Sequence, residues 1–299
     1  NQALPGAGTV ASRRPYAGFG NITGGFVSSI GNSNYNALQI RGERRFGQGL
    51  SFVSSYTWSK SIDENAGIST GSESSGNAQN ARNLAAERGL SDFDVNHRYV
   101  FSYVYDLPFG RERRLSVSNP VASALVSGWQ LTGILTLQGG RPFTVNSGID
   151  VSDTGGGNDR PDLIGNPRLD QRGPDRWFNT CTRLASGALG NCAAGENPVW
   201  AIPARGLFGS SGRNILRGDG LKNFDLGMYR SFRFSEGQSL QFRAEVFNLA
   251  NHPNFFFPNG SVLASATGVN ASFGRISRAA FQSQTGAQRQ IQFALKYIF

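Results

Sequence analysis

The chain closes on Ile291-Gln292-Phe293-Ala294-Leu295-Lys296-Tyr297-Ile298-Phe299, and the reading of this stretch decides the fold. Apolar side chains stand at every second position: Ile291, Phe293, Leu295, Tyr297 and Phe299. Gln292, Ala294, Lys296 and Ile298 lie between them. A strand sends alternate side chains to opposite faces, so one face is continuously apolar and ends in two aromatics. The last strand of a soluble sandwich alternates in the same way. The last strand of an outer-membrane β-barrel adds aromatics at the membrane interface, with apolar residues toward lipid and polar ones toward the lumen.

Composition narrows the choice. The chain has 299 residues, 38% hydrophobic and 16% charged, with 39 Gly and 22 Phe. No stretch approaches the ~20 apolar residues of a membrane helix, so a helical membrane protein is excluded. A β-barrel is not, because half of each spanning strand is free to be polar. The net charge is +9, nearly all from arginine, since the only lysines are Lys60, Lys222 and Lys296. There is no basic helix, zinc spacing or RNA-binding signature, so nucleic acid is not an expected partner. Arginines spread over strands and loops suit carboxylate pairs in a lumen, or anionic lipopolysaccharide at loop bases.

The remaining strand candidates follow the same period. They are Gly18 to Ile30 (broken by Gly24-Gly25), Tyr35 to Phe46, Leu50 to Lys60, Arg98 to Leu107, Trp129 to Gln138, Leu221 to Phe234 and Gln238 to Asn248. With the C-terminal strand they make about eight. The connections sort by length. Residues 47–49 and 235–237 are tight turns, whereas 61–95, 139–220 and 249–285 are long and rich in Gly, Asn and Ser. Short turns on the periplasmic side and long loops outside are the barrel pattern. One connection departs from it: 108–128 is periplasmic by parity but long, and Asn119-Pro120 followed by Val121 to Val126 reads as a short surface helix. The expected fold class is therefore all-β, an antiparallel transmembrane outer-membrane β-barrel.

Several segments together resemble the Oar-like TonB-dependent outer-membrane receptors. They are Ser33-Asn34-Tyr35-Asn36-Ala37-Leu38-Gln39, Ser55-Tyr56-Thr57-Trp58-Ser59-Lys60-Ser61-Ile62-Asp63 and Asp94-Val95-Asn96-His97-Arg98-Tyr99. Leu107-Pro108-Phe109-Gly110, Gly128-Trp129-Gln130-Leu131 and Gly139-Gly140-Arg141-Pro142-Phe143 follow. Then come Gly212-Arg213-Asn214-Ile215-Leu216-Arg217-Gly218, Phe242-Arg243-Ala244-Glu245-Val246-Phe247-Asn248-Leu249 and Asn251-His252-Pro253-Asn254-Phe255. The resemblance implies that residues 1–299 are the C-terminal part of a barrel of about 22 strands whose lumen is closed by a plug. The plug, the N-terminal domains and the TonB contact would lie upstream of Asn1. It also implies a receptor or transporter of a substrate still unidentified, and it carries over no ligand residue. The chain opens Asn1-Gln2-Ala3-Leu4 with neither an initiator Met nor an apolar leader, as expected of a mature form or a C-terminal piece.

Candidate site residues follow from parity. Arg41, Glu43, Arg45, Gln241, Arg243 and Glu245 occupy the polar parity and are expected to face the lumen, pairing across strands. Tyr56, Trp58, Tyr99, Tyr105, Trp129, Tyr297 and Phe299 occupy the apolar parity near strand ends, as an interface girdle. Ile291, Phe293, Leu295, Tyr297 and Phe299 are the expected recognition signal for the barrel-assembly machinery. Cys181 and Cys192 lie close together in a Gly/Asn-rich stretch and read as one disulfide in an oxidising compartment.

The loop from Asp150 to Asp162 concentrates carboxylates among glycines, open to calcium binding or, more simply, a solvated turn. His97 with Asp92 and Asp94 reads as a rim cluster paired with Arg98, and His252 reads as structural. There is no Gly-x-Ser-x-Gly elbow and no phosphate-cradling loop, so neither enzyme activity nor a cofactor is expected. The expected location is the bacterial outer membrane, with membrane lipid, lipopolysaccharide, the assembly machinery and TonB as partners. The alternative to a transporter is a surface adhesin or structural barrel.

Overall fold

Runs of β-branched and aromatic residues at alternate positions build long strands, and each finds its partner in the next one along the chain. The computed structural model describes residues 1–6, 8–16, 18–20, 30–47, 49–64, 78–109, 115–157, 159–235, 237–277 and 288–299. The long strands are β1 (Ser33–Gly47), β2 (Leu50–Asp63), β3 (His97–Asp106), β4 (Trp129–Gln138), β5 (Leu221–Ser235), β6 (Gln238–Phe247) and β7 (Gln290–Ile298). They pair in chain order as one antiparallel meander, and the two-residue strand Gly89–Leu90 joins the top of β2. One short helix, α1 (Pro120–Val126), lies between β3 and β4. The fold is thus all-β with little helix.

About eight strands were expected, and seven long ones are described. The expected strand over 18–30 lies mostly outside the described residues. Among the described residues the sheet is open, with β1 and β7 at its two edges. Both run from the long-loop end toward the tight-turn end, so pairing them directly would be parallel. Closing this meander in antiparallel fashion requires at least one more strand running the other way.

The register sorts the side chains into two faces. One row crosses all seven strands: Arg44, Phe52, Tyr103, Gly133, Leu226, Val246 and Ile291. By alternation this face also carries Leu38, Tyr56, Trp58, Tyr99, Phe101, Leu135, Phe224, Phe242, Phe293 and Leu295. It is the apolar face. The neighbouring row, Ser51, Val104, Thr132, Gly227, Glu245 and Gln292, belongs to the polar face. Gly133 has a packing reason: a Cβ there would stand 2.4 Å from the Tyr103 ring, which lies across it. The tight turn after β1 needs Gly49, whose φ is +82° with the Asp106 carbonyl close by.

The hydrophobic core does not lie in the sheet. It is built by the connections 139–220 and 248–289, which leave from the same end of the sheet. Residues 139–220 supply Phe143, Val145, Trp177, Phe178, Trp200 and Leu216, and residues 248–289 supply Phe257, Val262, Leu263 and Phe273. Phe178 packs edge-on against Phe273 at 5.1 Å and against Trp200 at 6.2 Å. The indole N–H groups of Trp177 and Trp200 donate to the carbonyls of Arg217 and Asn179, both at 2.8 Å, so both rings are buried without an orphaned donor. Short strands stitch the connections together, Pro142–Phe143 to Leu216–Arg217 and Trp200–Ala201 to Thr182–Arg183 and Asp162–Leu163. The N-terminal segment docks here too, with Ala3 fully buried and its N–H donating to Thr154 at 3.0 Å. These connections form a folded cap over one end of the sheet.

Candidate functional site

All six residues expected in the lumen share the polar face, but the structure gathers them into two groups rather than one. On β1, Glu43 accepts from Arg41 and Arg45, both at 2.8 Å. Pairing across strands was the expectation. The pairs instead run along one strand, because the residues opposite Arg41 and Glu43 are the uncharged Ser55 and Val53. On β6, Arg243 donates to Gln241 at 2.7 Å, and Glu245 accepts from the Tyr229 hydroxyl of β5 at 2.6 Å and from Gln292 of β7. The Arg243 guanidinium lies over the Tyr229 ring, 5.7 Å from its centroid.

Between the two groups the polar face holds a depression of about 470 Å³, lined by Ser51, Val53, Ser102, Thr132, Asp225, Tyr229 and Glu245 among others. Small side chains on β2 to β4 leave the space. Tyr229 leans over Gly227, where a Cβ would stand 2.8 Å from its ring, and so forms one wall. Hydroxyls and two carboxylates alternate here with Val104, Ile134, Phe247 and the Tyr229 ring, so the depression suits a solute or protein surface with both polar and apolar parts. Tyr229 is a site residue that its sequence neighbourhood does not announce; the signal was its place two residues beyond a mid-strand glycine.

Ion pairs lock the connections of the cap to one another and to the top of β2. Arg213 binds the Asp63 carboxylate at the top of β2 and stands 3.6 Å from Asp92, with all three side chains under a tenth exposed. Arg217 pairs with Asp94, which also accepts from the Ser61 N–H at 2.6 Å. Arg160 pairs with Glu87 at 2.6 Å, both buried. Arg98 was the expected partner of Asp92 and Asp94. It is not, because Arg213, Asn214 and Arg217 of the 139–220 connection reach them first. His97 instead meets the Tyr56 hydroxyl at 2.8 Å. His252 holds a tight turn through its backbone, exchanging two 3.0 Å hydrogen bonds with the Asn248 side chain.

In the 150–162 loop the carboxylates are held by the protein's own donors, while Gly156 and Gly157 are exposed. Asp150 accepts from the N–H groups of Thr154 and Gly155, at 3.1 and 2.7 Å. Asp153 pairs with Arg13 and Arg205, and Asp162 accepts from the Ser210 N–H. Asp159 is buried and bonded to the Ser152 amide and hydroxyl. Its burial pushes its carboxyl above the usual aspartate range. Among the described residues no group of three or more His, Cys, Asp and Glu is placed to hold a metal ion.

Cys181 and Cys192 form a disulfide within the cap. Beside it Glu196 accepts from Arg176 through two 2.6 Å hydrogen bonds and from the Ala193 N–H at 2.9 Å. The Arg176 bonds, more than the Ala193 N–H, hold the Glu196 carboxyl below the usual range.

The girdle residues divide by height on the apolar face. Tyr56, Trp58 and Tyr99 lie near the cap end, and Tyr105, Trp129, Tyr297 and Phe299 near the turn end. On β5 the apolar parity runs from Phe224 to Phe234. Ten residues at about 3.3 Å each, tilted by roughly 40°, span about 25 Å of height, the thickness of a barrel's lipid-facing band.

A family model described as an outer membrane beta barrel domain matches residues 1–292. The chain belongs to that family. No curated protein and no solved structure matches it. It is an outer-membrane protein of bacteria. In barrels of that membrane the apolar face meets lipid, the polar face turns inward, short turns lie in the periplasm and long loops outside the cell, the pattern that these faces and connection lengths follow.

Proposed function

We propose that this barrel protein is the C-terminal part of a larger TonB-dependent receptor, of the Oar-like kind, that moves a substrate across the outer membrane. The observation that carries the reading is the open meander with its polar inner face. The seven long strands among the described residues need at least one further strand to close, and a closed eight-stranded barrel fills its interior with side chains. Here Arg41 and Arg45 are largely exposed on the inner face and a depression of about 470 Å³ lies open beside Tyr229. A wide lumen with a plug seated against this face accommodates both. On this reading the two arginine–glutamate groups hold the plug, and substrate meets the protein first at the cap. On this reading a region upstream of Asn1 contacts TonB, and the reading calls for neither an enzymatic step nor a cofactor. The competing reading, a surface adhesin or structural barrel, keeps the folded cap and dispenses with the plug.

The test is the reading frame upstream of Asn1. A signal peptide, a plug and roughly fourteen further alternating strands would support the receptor. A signal peptide alone would leave a small closed barrel and make adhesion the better reading.

A further inference from the structure

Helix α1 is inside out. Asn119 caps it, its side chain accepting from the N–H groups of Val121 and Ala122 at 3.0 and 3.1 Å, and Pro120 starts it. At seven residues it is too short to persist without support from the rest of the fold. Its buried position is the polar Ser123. Its exposed positions are all apolar: Pro120, Ala124, and the large Val121 and Leu125, 70% and 66% accessible and stacked one turn apart on the same side. A helix on a water-facing surface shows the opposite pattern.

What holds α1 fixes where it lies. The Trp129 indole N–H donates to the Leu125 carbonyl at 2.9 Å, and the Arg230 guanidinium donates to the carbonyls of Ala124 and Leu125. Trp129 and Arg230 are directly opposed in the register, in the row that continues through Phe242 and Leu295. That row belongs to the apolar, lipid-facing side. The end of α1 is therefore on the outside of the barrel, at its periplasmic rim and not under the lumen.

The arrangement solves two problems that only lipid poses. The last carbonyls of a helix have no partner within it. A guanidinium on the lipid face is costly unless it finds polar groups or reaches an interface. Each satisfies the other here, and Arg230 also lies over the Phe232 and Trp129 rings, 4.4 and 5.5 Å from their centroids. Arg230 sits four residues above Phe234, about 10 Å in height for a tilted strand, which matches the depth at which interfacial helices rest.

We infer that α1 is a membrane-interface anchor, lying in the phospholipid leaflet that faces the periplasm with Val121 and Leu125 turned into the acyl–headgroup boundary. This explains why one connection on the tight-turn side is long. It rests on the outer-membrane location and holds whether the protein is a receptor or an adhesin.

The test uses the full chain in phospholipid nanodiscs, with no other protein present. Single cysteines introduced as Val121→Cys and Leu125→Cys carry a nitroxide, and collision with oxygen is compared with collision with a water-soluble nickel chelate. Phe293→Cys in the lipid belt and Ser186→Cys on the exposed cap are the references. The expected result is an oxygen-to-nickel ratio at 121 and 125 several-fold above that at 186 and close to that at 293. A ratio at 121 and 125 equal to that at 186 would overturn the inference and leave the patch to a periplasmic protein. Arg230→Gln should lower the ratio at 125 by freeing the helix end. If that variant does not fold, the labels in the otherwise unaltered chain still decide.

Discussion

Arg213 joins the cap to the barrel by reaching back 150 residues along the chain to Asp63, where it takes both the backbone carbonyl, at 2.8 Å, and the carboxylate. The same guanidinium donates to the Glu87 carbonyl at 2.9 Å and faces Asp92. One side chain of the 139–220 connection thus ties the top of β2 to the 64–96 connection. Two of the three long outer connections and the sheet meet at a buried charge.

The consequence is asymmetric. A buried ion pair gives little net stability over an apolar replacement, but removing one partner leaves the other charged, buried and alone. Arg213→Ala strands Asp63, while Asp92 keeps its bond from Asn214, and should loosen the cap by about 3–5 kcal/mol. Limited proteolysis should then cut within 139–220 while the long strands stay protected. The double variant Arg213→Leu with Asp63→Leu should recover part of the loss. Equal protease resistance of wild type and Arg213→Ala would show that the cap is held elsewhere.

The disulfide makes a separable contribution. It closes a short loop, with a sequence separation of 11, for which chain entropy predicts about 3 kcal/mol. Because that loop lies wholly in the cap, Cys181→Ser with Cys192→Ser should lower the cap's unfolding midpoint without changing barrel insertion. Loss of both together would mean that cap and barrel fold as one unit.

Acid should act on the cap through two carboxylates of opposite sign. The Arg176 bonds lower the pKa of Glu196, so its contribution is present above the usual glutamate range and is lost as pH falls through its folded-state value. The pair is about a quarter to a third exposed, which limits it to about 1 kcal/mol or less. Burial raises the pKa of Asp159, so the folded state favours its protonated form and loses that advantage as pH rises out of the aspartate range. Cap unfolding followed between about pH 3 and pH 7 should therefore fall less steeply toward acid in Glu196→Gln. It should lose its alkaline-going decline in Asp159→Asn. Parallel curves for all three proteins would show that neither group titrates with the cap.

The strands were legible because two solvents write a period of two. Lipid on one side and a polar lumen on the other make Tyr99, Phe101, Tyr103 and Tyr105 alternate with Arg98, Ser102 and Asp106, and β3 runs from His97 to Asp106 accordingly. The cap left no such trace. Phe143, Trp200, Phe257 and Val262 stand alone or in short apolar runs such as Phe255-Phe256-Phe257 and Val199-Trp200-Ala201-Ile202, too short and irregular to repeat a face. Their packing is set by partners far along the chain. For the same reason Asp92 and Asp94 pointed to the neighbouring Arg98, whereas their partners Arg213 and Arg217 lie more than a hundred residues away. The Tyr229–Glu245 contact needed the β5–β6 register, which no local pattern supplies.

The last strand separates stability from assembly. Phe299 is 93% exposed, and its ring stacks on Tyr297 at 5.8 Å. It stands at the periplasmic edge of the lipid face, where a charged residue costs the folded barrel only about 0–1 kcal/mol. Phe299→Asp should therefore leave refolding into phospholipid vesicles nearly unchanged. If the five alternating residues Ile291, Phe293, Leu295, Tyr297 and Phe299 are what the assembly machinery reads, the same variant should reach the outer membrane of living cells several-fold less, while Phe299→Trp should not. Normal insertion of Phe299→Asp in cells would remove the C-terminal strand as that signal. A parallel loss in vesicles would instead make Phe299 a stabilising contact of the barrel itself.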